Sequence, residues 1–342
     1  VDLVVADAVA DAAAPGTDTL CRFEGGACVV PRVDPFGVDR GGLLEALSLC
    51  GAAFLELGSS GWLPDPCYEE FEELWTEAMS SRASFNKHSA VRRWMLSFNK
   101  GEDLSRTVQG DAKKHVPDIR YNFGVSYHNA TAGKAEHWDD LEWMAENFRE
   151  TLGAAARLVR QELLPLVEAE NTADGDEPDP ESFAAKLRKG NESFANSRFR
   201  HSMYPAGGSC TEHTDYGIFT LQQSNNSGFE AWIGGAWRHL ETPDGCALVF
   251  AGDMLERLTN GRYPALKHRV RLSPHVGSGG GGKAARRRQV AVRQSHIFFL
   301  QPDKGTVVEP LKSHLRGDGT DLKPVRYGDW HTVKANLAFR PR

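Results

Sequence analysis

No apolar run in this chain approaches the ~20 residues that a membrane-spanning helix needs. There is no excess of basic charge either: 40 Lys and Arg stand against 46 Asp and Glu, a net charge of −6. A mildly acidic chain has no general attraction to nucleic acid or to an anionic membrane. The six cysteines (Cys21, Cys28, Cys50, Cys67, Cys210, Cys246) are scattered, without paired metal spacing. They read as reduced thiols of a cytoplasmic protein. Residues 1–7 carry acidic side chains and no basic segment, so they do not read as a secretory signal. The sequons at Asn129 and Asn191 are then taken as chance matches.

The composition itself is that of a soluble globular protein, and 342 residues allow one or two domains. Residues 1–26 are rich in Ala, Asp and Gly without a period and read as a loose segment. Residues 29–34 and 53–57 read as strands, with a helix over 41–50 between them. Asp65-Pro66 opens a helix that runs through Phe71, Leu74 and Met79. Residues 84–133 mix aromatic and basic side chains with turn formers. They read either as irregular structure over the core or as a wall beside a ligand. The clearest helix covers 139–169, where Leu141, Met144, Phe148, Leu152, Ala155, Val159, Leu163 and Leu166 form one apolar stripe. Pro165 is expected to kink it or end it late. An acidic loop follows over 171–180.

From residue 196 the pattern turns to β. Strands are expected at 198–204, 213–223, 229–233, 237–240, 246–251, 266–272 and 290–300, with Gly234-Gly235 as a hairpin turn. Short strands at such spacing fit a jelly roll. The expected fold is mainly β with flanking helices, a double-stranded β-helix core after an N-terminal α/β region. The expected division is a loose segment (1–26), an α/β region (27–190), a jelly-roll domain (195–303) and an extension packed on the barrel (304–342). Residues 277–288 hold five glycines and the triplet Arg286-Arg287-Arg288. They read as a flexible, solvated loop.

His213 and Asp215 stand two apart at the start of a β-like run, so they are expected on one face of a strand. His268, on the run 266–272, can add a second imidazole. Two imidazoles and one carboxylate leave coordination positions open and suit non-haem Fe(II). The same donors also bind Zn(II) in hydrolases. A bare His-x-Asp arises often by chance, so the neighbouring motifs matter.

Those motifs are His213-Thr214-Asp215, Gly252-Asp253, Thr259-Asn260-Gly261-Arg262-Tyr263, His268-Arg269-Val270 and Arg293-Gln294-Ser295. In this order they resemble the Fe(II)/2-oxoglutarate-dependent dioxygenases, in the branch of isopenicillin N synthase and the plant hormone and flavonoid oxygenases. The resemblance spans roughly residues 30–330 and is strong only in the second half. It implies that His213, Asp215 and His268 hold Fe(II), with 2-oxoglutarate and O2 as cosubstrates. It also implies that Arg293 and Ser295 hold the distal carboxylate of 2-oxoglutarate, with Tyr204 adding its hydroxyl. Arg suits that task through its planar two-pronged fork. The implied reaction is hydroxylation, desaturation or ring closure of a small organic substrate, with release of succinate and CO2. No nucleic-acid or membrane partner is implied, and a monomer is favoured.

Two departures stand out. Ser202 occupies a position where plant members carry Asn, and the linker from Tyr204 to His213 is short. Relative to the family, 277–288 is an insertion, expected to be dispensable. Gly252-Asp253 and Asn260-Gly261 read as turn devices. Leu221, Gln223 and Phe298 are expected in the pocket wall. An oxidase of the same fold that uses no 2-oxoglutarate, a metal hydrolase and a non-catalytic metal-binding barrel are the competing readings.

Overall fold

Two β-sheets face each other across one apolar core, and helices cover the outer face of the larger sheet. The computed structural model describes residues 23–24, 27–28, 30–36, 42–58, 62–73, 95–98, 118–127, 142–171, 180, 182–273 and 293–339. The strands, in chain order, are β1 (Phe23–Glu24), β2 (Ala27–Cys28), β3 (Arg32–Val33), β4 (Ala52–Glu56), β5 (Met95–Phe98), β6 (Tyr121–Ser126), β7 (Arg198–Tyr204) and β8 (Ser209–His213). They continue with β9 (Phe219–Ser224), β10 (Phe229–Ile233), β11 (Ala236–His239), β12 (Cys246–Ala251), β13 (His268–Arg271), β14 (Arg293–Leu300), β15 (Val307–Val308) and β16 (Val325–Arg326). The helices that matter below are α1 (Leu43–Cys50), α2 (Glu142–Asn171), α3 (Phe183–Leu187), α4 (Asp253–Leu258) and α5 (Tyr327–Phe339).

The major sheet has the order β3-β4-β12-β9-β14-β7-β6-β5, and the minor sheet β11-β10-β13-β8. Side chains alternate between the faces of a strand. On the major sheet Phe199, Met203, Leu221, Val249, Phe298 and Leu300 therefore point outward. They share a core with Met144, Phe148, Leu152, Ala155, Val159 and Leu163 of α2, the stripe expected from the sequence. The inward residues Tyr204, Leu248 and Phe250 meet Cys210, Phe229, Ala231, Ile233 and Val270 in a second core between the sheets. Each large apolar side chain buried there contributes about 1.5–3 kcal/mol. The jelly roll is thus held from inside and out.

Several expectations need correction. Of the two effects expected of Pro165, a late end is excluded, because α2 runs on to Asn171. The loose segment 1–26 contains β1, which pairs with β2 across Gly25-Gly26. The stretch 84–133 is not wholly irregular: β5 and β6 extend the major sheet beyond β7. The β-like run 213–223 is two strands in different sheets, β8 and β9, joined by a loop. Most of residues 74–133 and all of the Gly/Arg-rich loop 277–288 lie outside the described residues. No helix among the described residues is long and apolar enough to cross a membrane.

Candidate active site

His213 is the last residue of β8 and His268 the first of β13, and the two are register partners. The ladder between them is irregular. Val270 pairs with Cys210, yet His268 pairs with His213, so β8 carries one extra residue there. That bulge lets Cys210 and His213, three apart, both turn inward, which a regular strand forbids. Each imidazole is fixed through Nδ1 by a backbone carbonyl two residues earlier. His213 Nδ1 lies 2.7 Å from Thr211 O, and His268 Nδ1 lies 2.9 Å from Leu266 O. With Nδ1 donating, each Nε2 is left as a lone-pair donor. The rings of Phe229 and Phe250 pack on His268 at 5.2 and 4.8 Å between centroids.

Asp215 does not share a strand with His213. It lies in the loop between β8 and β9, and that loop is pinned by backbone contacts. The N–H groups of Gly252, Asp253 and Met254 donate to the carbonyls of Ile218 (2.9 Å), Asp215 (2.8 Å) and Gly217 (2.9 Å). A Cβ on Gly252 would sit 2.4 Å from Gly217 O, and one on Gly217 would sit 2.4 Å from Leu300 O. Both glycines are therefore required by close approach. The expectation that Gly252 supplies a turn conformation is corrected, since its φ is −107°. Only Asn260 (φ 49°) and Gly261 (φ 83°) in these motifs need the left-handed region. Asp253 is also more than a turn former. Its carboxylate pairs with Lys334 of α5, whose Nζ also donates to Thr214 Oγ1 at 3.0 Å.

The carboxylate of Asp215 is oriented from both sides. Thr220 Oγ1 donates to Oδ2 at 2.6 Å, leaving Oδ1 to face His213 Nε2 (3.5 Å) and His268 Nε2 (3.9 Å). These donors lie within 4.8 Å of one another, and all three residues are buried. Burial opposes charge on every member. Burial disfavours a protonated His213, but the Cys210 thiol and the Asp215 carboxylate outweigh it and push the imidazole up to about 10. Burial and the neighbouring His213 hold His268 down to about 4. Asp215 stays well below the usual carboxylate range, because His268 and His213 outweigh its burial. A divalent cation satisfies two lone pairs and a carboxylate together, so the donor set fits Fe(II).

Arg293 opens β14 and is 1% exposed. Its guanidinium donates to Ser224 Oγ (2.8 Å), Ser227 O (3.0 Å) and Asn226 O. Among the described residues its Nε has no partner, and the groups that act on its charge are Tyr204 and Tyr68, neither of them a carboxylate. Burial pulls its basicity down. A buried cation without an anion is costly, so the position fits the carboxylate of a ligand. Ser295 lies on the same inward face and accepts from Ser224 Oγ at 3.1 Å. Tyr204 is the register partner of Arg293. Burial pushes its phenol up to about 12, so it stays a neutral donor.

Comparison with known proteins agrees with this geometry. The model of the 2OG-Fe(II) oxygenase superfamily matches residues 190–302. The match covers about a third of the chain. The chain is 32% identical to 2-oxoglutarate-dependent dioxygenase 19 of Oryza sativa subsp. japonica over 132 residues, 38% of this chain and 35% of the relative. It is 30% identical to the validamycin A dioxygenase of Streptomyces hygroscopicus subsp. limoneus, over 34% of this chain and 30% of that enzyme. The chain thus spans about a third of the length of the curated relatives it matches. The fold similarity reaches further. A full-length Neurospora crassa protein solved in complex with alpha-KG superposes with a TM-score of 0.55 at 17% identity, covering 92% of this chain and 97% of that one. The rice dioxygenase for auxin oxidation gives 0.51 at 17% identity, with 92% and 97% covered.

Within the oxygenase domain, the expected wall residues Leu221, Gln223 and Phe298 face away from the trio. Leu221 and Phe298 belong to the outer core with α2, and Gln223 shares their face. The inward residues of β9 are Thr220, Gln222 and Ser224, and the last two are linked at 3.2 Å. Sequence reasoning also missed Thr220, Ser224 and Lys334. Thr220 and Ser224 could have been found as polar residues of matching parity in an otherwise apolar strand. Lys334 carries no local signal.

Proposed function

We propose that this protein is an Fe(II)- and 2-oxoglutarate-dependent dioxygenase acting on a small organic molecule. The observation that carries the reading is the convergence of two buried imidazole Nε2 atoms and one carboxylate Oδ1 inside the same barrel as Arg293, which is buried without a carboxylate partner among the described residues. His213, Asp215 and His268 are the iron ligands in this reading. Arg293 and Ser295 hold the distal carboxylate of 2-oxoglutarate, and Tyr204 adds its hydroxyl. Bound there, Fe(II), 2-oxoglutarate and O2 supply the oxidising power to hydroxylate, desaturate or cyclise a C–H bond, releasing succinate and CO2. The chain's own residues orient and shield. Thr220 turns the Asp215 carboxylate, the carbonyls of Thr211 and Leu266 fix the two imidazoles, and Phe229 and Phe250 keep water from His268.

Membership in the isopenicillin N synthase-like branch is part of the same reading, supported by the Arg293-x-Ser295 spacing. So is a catalytic unit over 195–303 with residues 304–342 as its extension. A cytoplasmic location is supported by the unbridged thiols of Cys67, Cys210 and Cys246.

The test is a titration of 2-oxoglutarate into the anaerobic Fe(II) protein, read by the metal-to-ligand charge-transfer band. Arg293→Leu should raise the apparent constant by at least about tenfold, because a charge-assisted contact contributes about 1.5–3 kcal/mol. Ser295→Ala should cost less. His268→Ala should abolish iron binding. A wild-type protein that binds iron but shows no band would make the oxidase without 2-oxoglutarate the better reading.

A further inference from the structure

The segment just ahead of β6 crosses from one sheet to the other. Within β6, Tyr121 pairs with Met203 of β7. Two residues earlier, Ile119 forms an isolated antiparallel bridge with Ser209, the first residue of β8. Its N–H donates to Ser209 O at 3.0 Å, and its carbonyl accepts from the Ser209 N–H at 3.1 Å. The crossing is tight, since a Cβ on Gly208 would sit 3.0 Å from Ile119 O. Ile119 is exposed, while its neighbours Asp118 and Arg120 turn the other way and are buried.

Asp118 makes a contact with each of its two oxygens. Oδ1 accepts from the N–H of Thr211 at 2.7 Å, inside the β8 bulge. Thr211 O in turn lies 2.7 Å from His213 Nδ1. Thr211 is thus held by its N–H and holds the imidazole by its carbonyl. Oδ2 of Asp118 lies 3.0 Å from Arg120 Nη2. One residue before Tyr121, Arg120 stands opposite Tyr204 in the continued register, and it donates to the Tyr204 hydroxyl oxygen. With that oxygen accepting, the phenol's own hydrogen is left for another acceptor.

Charge links the same groups. Burial and the charge of His213 come first in holding His268 down, and the guanidinium of Arg120 adds to them. A cation whose field reaches His268 also opposes a metal ion there, and the Asp118 carboxylate offsets it. Asp118 is 93 residues away from Thr211 in the chain and is neither an iron ligand nor part of the 2-oxoglutarate clamp.

We propose that Asp118 is a positioning residue for both halves of the site, fixing His213 through Thr211 and aiming the Tyr204 hydroxyl through Arg120. The proposal rests on the dioxygenase reading. It makes one carboxylate that touches neither iron nor 2-oxoglutarate responsible for the geometry of both.

The experiment uses the full chain under anaerobic conditions and reads two constants. Fe(II) is measured against a competing chelator, and 2-oxoglutarate by the charge-transfer band at saturating iron. Asp118→Ala should weaken both by at least about tenfold, the loss of one hydrogen bond to a charged group. Arg120→Met breaks only the second arm. It should weaken 2-oxoglutarate by a similar factor and leave iron bound no less tightly than in the wild type. Tyr204→Phe should weaken 2-oxoglutarate as well. Adding Arg120→Met to it should cost little more, because Arg120 acts through that hydroxyl. A merely structural role would instead move both constants together with the urea midpoint in every variant. If Asp118→Ala does not fold, Asp118→Asn carries the test. Its neutral carboxamide of the same shape should weaken iron binding about fivefold. The proposal is overturned if the folded Asp118 variant binds iron like wild type, or if Arg120→Met weakens iron as much as the Asp118 change does. It is overturned equally if Tyr204→Phe leaves the 2-oxoglutarate constant unchanged, or if Arg120→Met keeps its full effect in the Tyr204→Phe background. A wild-type protein without the band would instead reject the dioxygenase reading.

Discussion

Thr220→Val isolates one hydrogen bond at the centre of the site. Thr220 is fully buried, and its hydroxyl donates to Asp215 Oδ2 at 2.6 Å. Valine has nearly the same shape, so the swap removes the donor and leaves no cavity. What is lost is a hydrogen bond to an ionised acceptor, about 1.5–3 kcal/mol. That energy converts to roughly ten- to hundredfold in a binding constant, the range found when groups supporting a metal ligand are removed. The carboxylate keeps its charge but loses the contact that turns Oδ1 toward the two Nε2 atoms. Anaerobic Fe(II) binding, measured against a competing chelator, should therefore weaken by about that factor. Thr220→Ser, which keeps the hydroxyl, should stay close to wild type. The 2-oxoglutarate constant at saturating iron should change little, because Arg293 and Ser295 lie elsewhere on the inner wall. If Thr220→Val binds iron as tightly as wild type while remaining folded, the hydroxyl does not set the ligand geometry and the argument fails.

Two further outcomes are expected. Lys334→Met removes the buried partner of Asp253 and the donor to Thr214. Urea unfolding should show a loss on the order of 3 kcal/mol, as for one half of a buried pair, and an unchanged midpoint would contradict the role given to α5. His296 lies between the major sheet and the helical layer, where burial holds it down to about 3 against an ordinary value of 6.5. Below pH 6.5 the unfolded chain takes up a proton that the folded chain refuses, so stability falls as pH falls from 6.5 toward 3. The slope for such a group approaches about 1.4 kcal/mol per pH unit. His296→Gln should flatten the dependence of the urea midpoint between pH 6 and pH 5, and parallel curves would rule the effect out.

Most barrel strands, and the residues proposed here as ligand set and clamp, were legible because each rests on short-range pattern. Residue type and order along the chain locate His213, Asp215 and His268, and parity within one strand pairs Arg293 with Ser295. Parity failed where a strand was assumed to continue. Treating 213–223 as one strand puts Leu221 and Gln223 on the face of His213, but the loop through Gly217 resets the count and turns Thr220, Gln222 and Ser224 inward. A shift of one residue exchanges the two faces. Phe298 was misjudged more simply, since it shares parity with Gln294 and not with Arg293. Lys334 was invisible for another reason. Its partners Asp253 and Thr214 are 81 and 120 residues away, and nothing in α5 itself announces them.

The extra residue in β8 makes this site intolerant of one kind of genetic change. Along β13, Val270 and His268 both face inward, and across from them stand Cys210 and, after the bulge, His213. Remove either Thr211 or Glu212 and the ladder runs on regularly from Cys210. The imidazole would then fall two past that cysteine, still inward and across from His268, but its carbonyl anchor at Thr211 O would be lost or displaced. A deletion of three nucleotides would thus free one imidazole of the candidate metal site from its anchor while leaving every ligand in the gene. Length changes in the tight turn between β10 and β11, which takes no part in this ladder, carry no such penalty. Lineages that keep the chemistry should therefore vary freely in that hairpin and hold the count from Cys210 to His213 fixed.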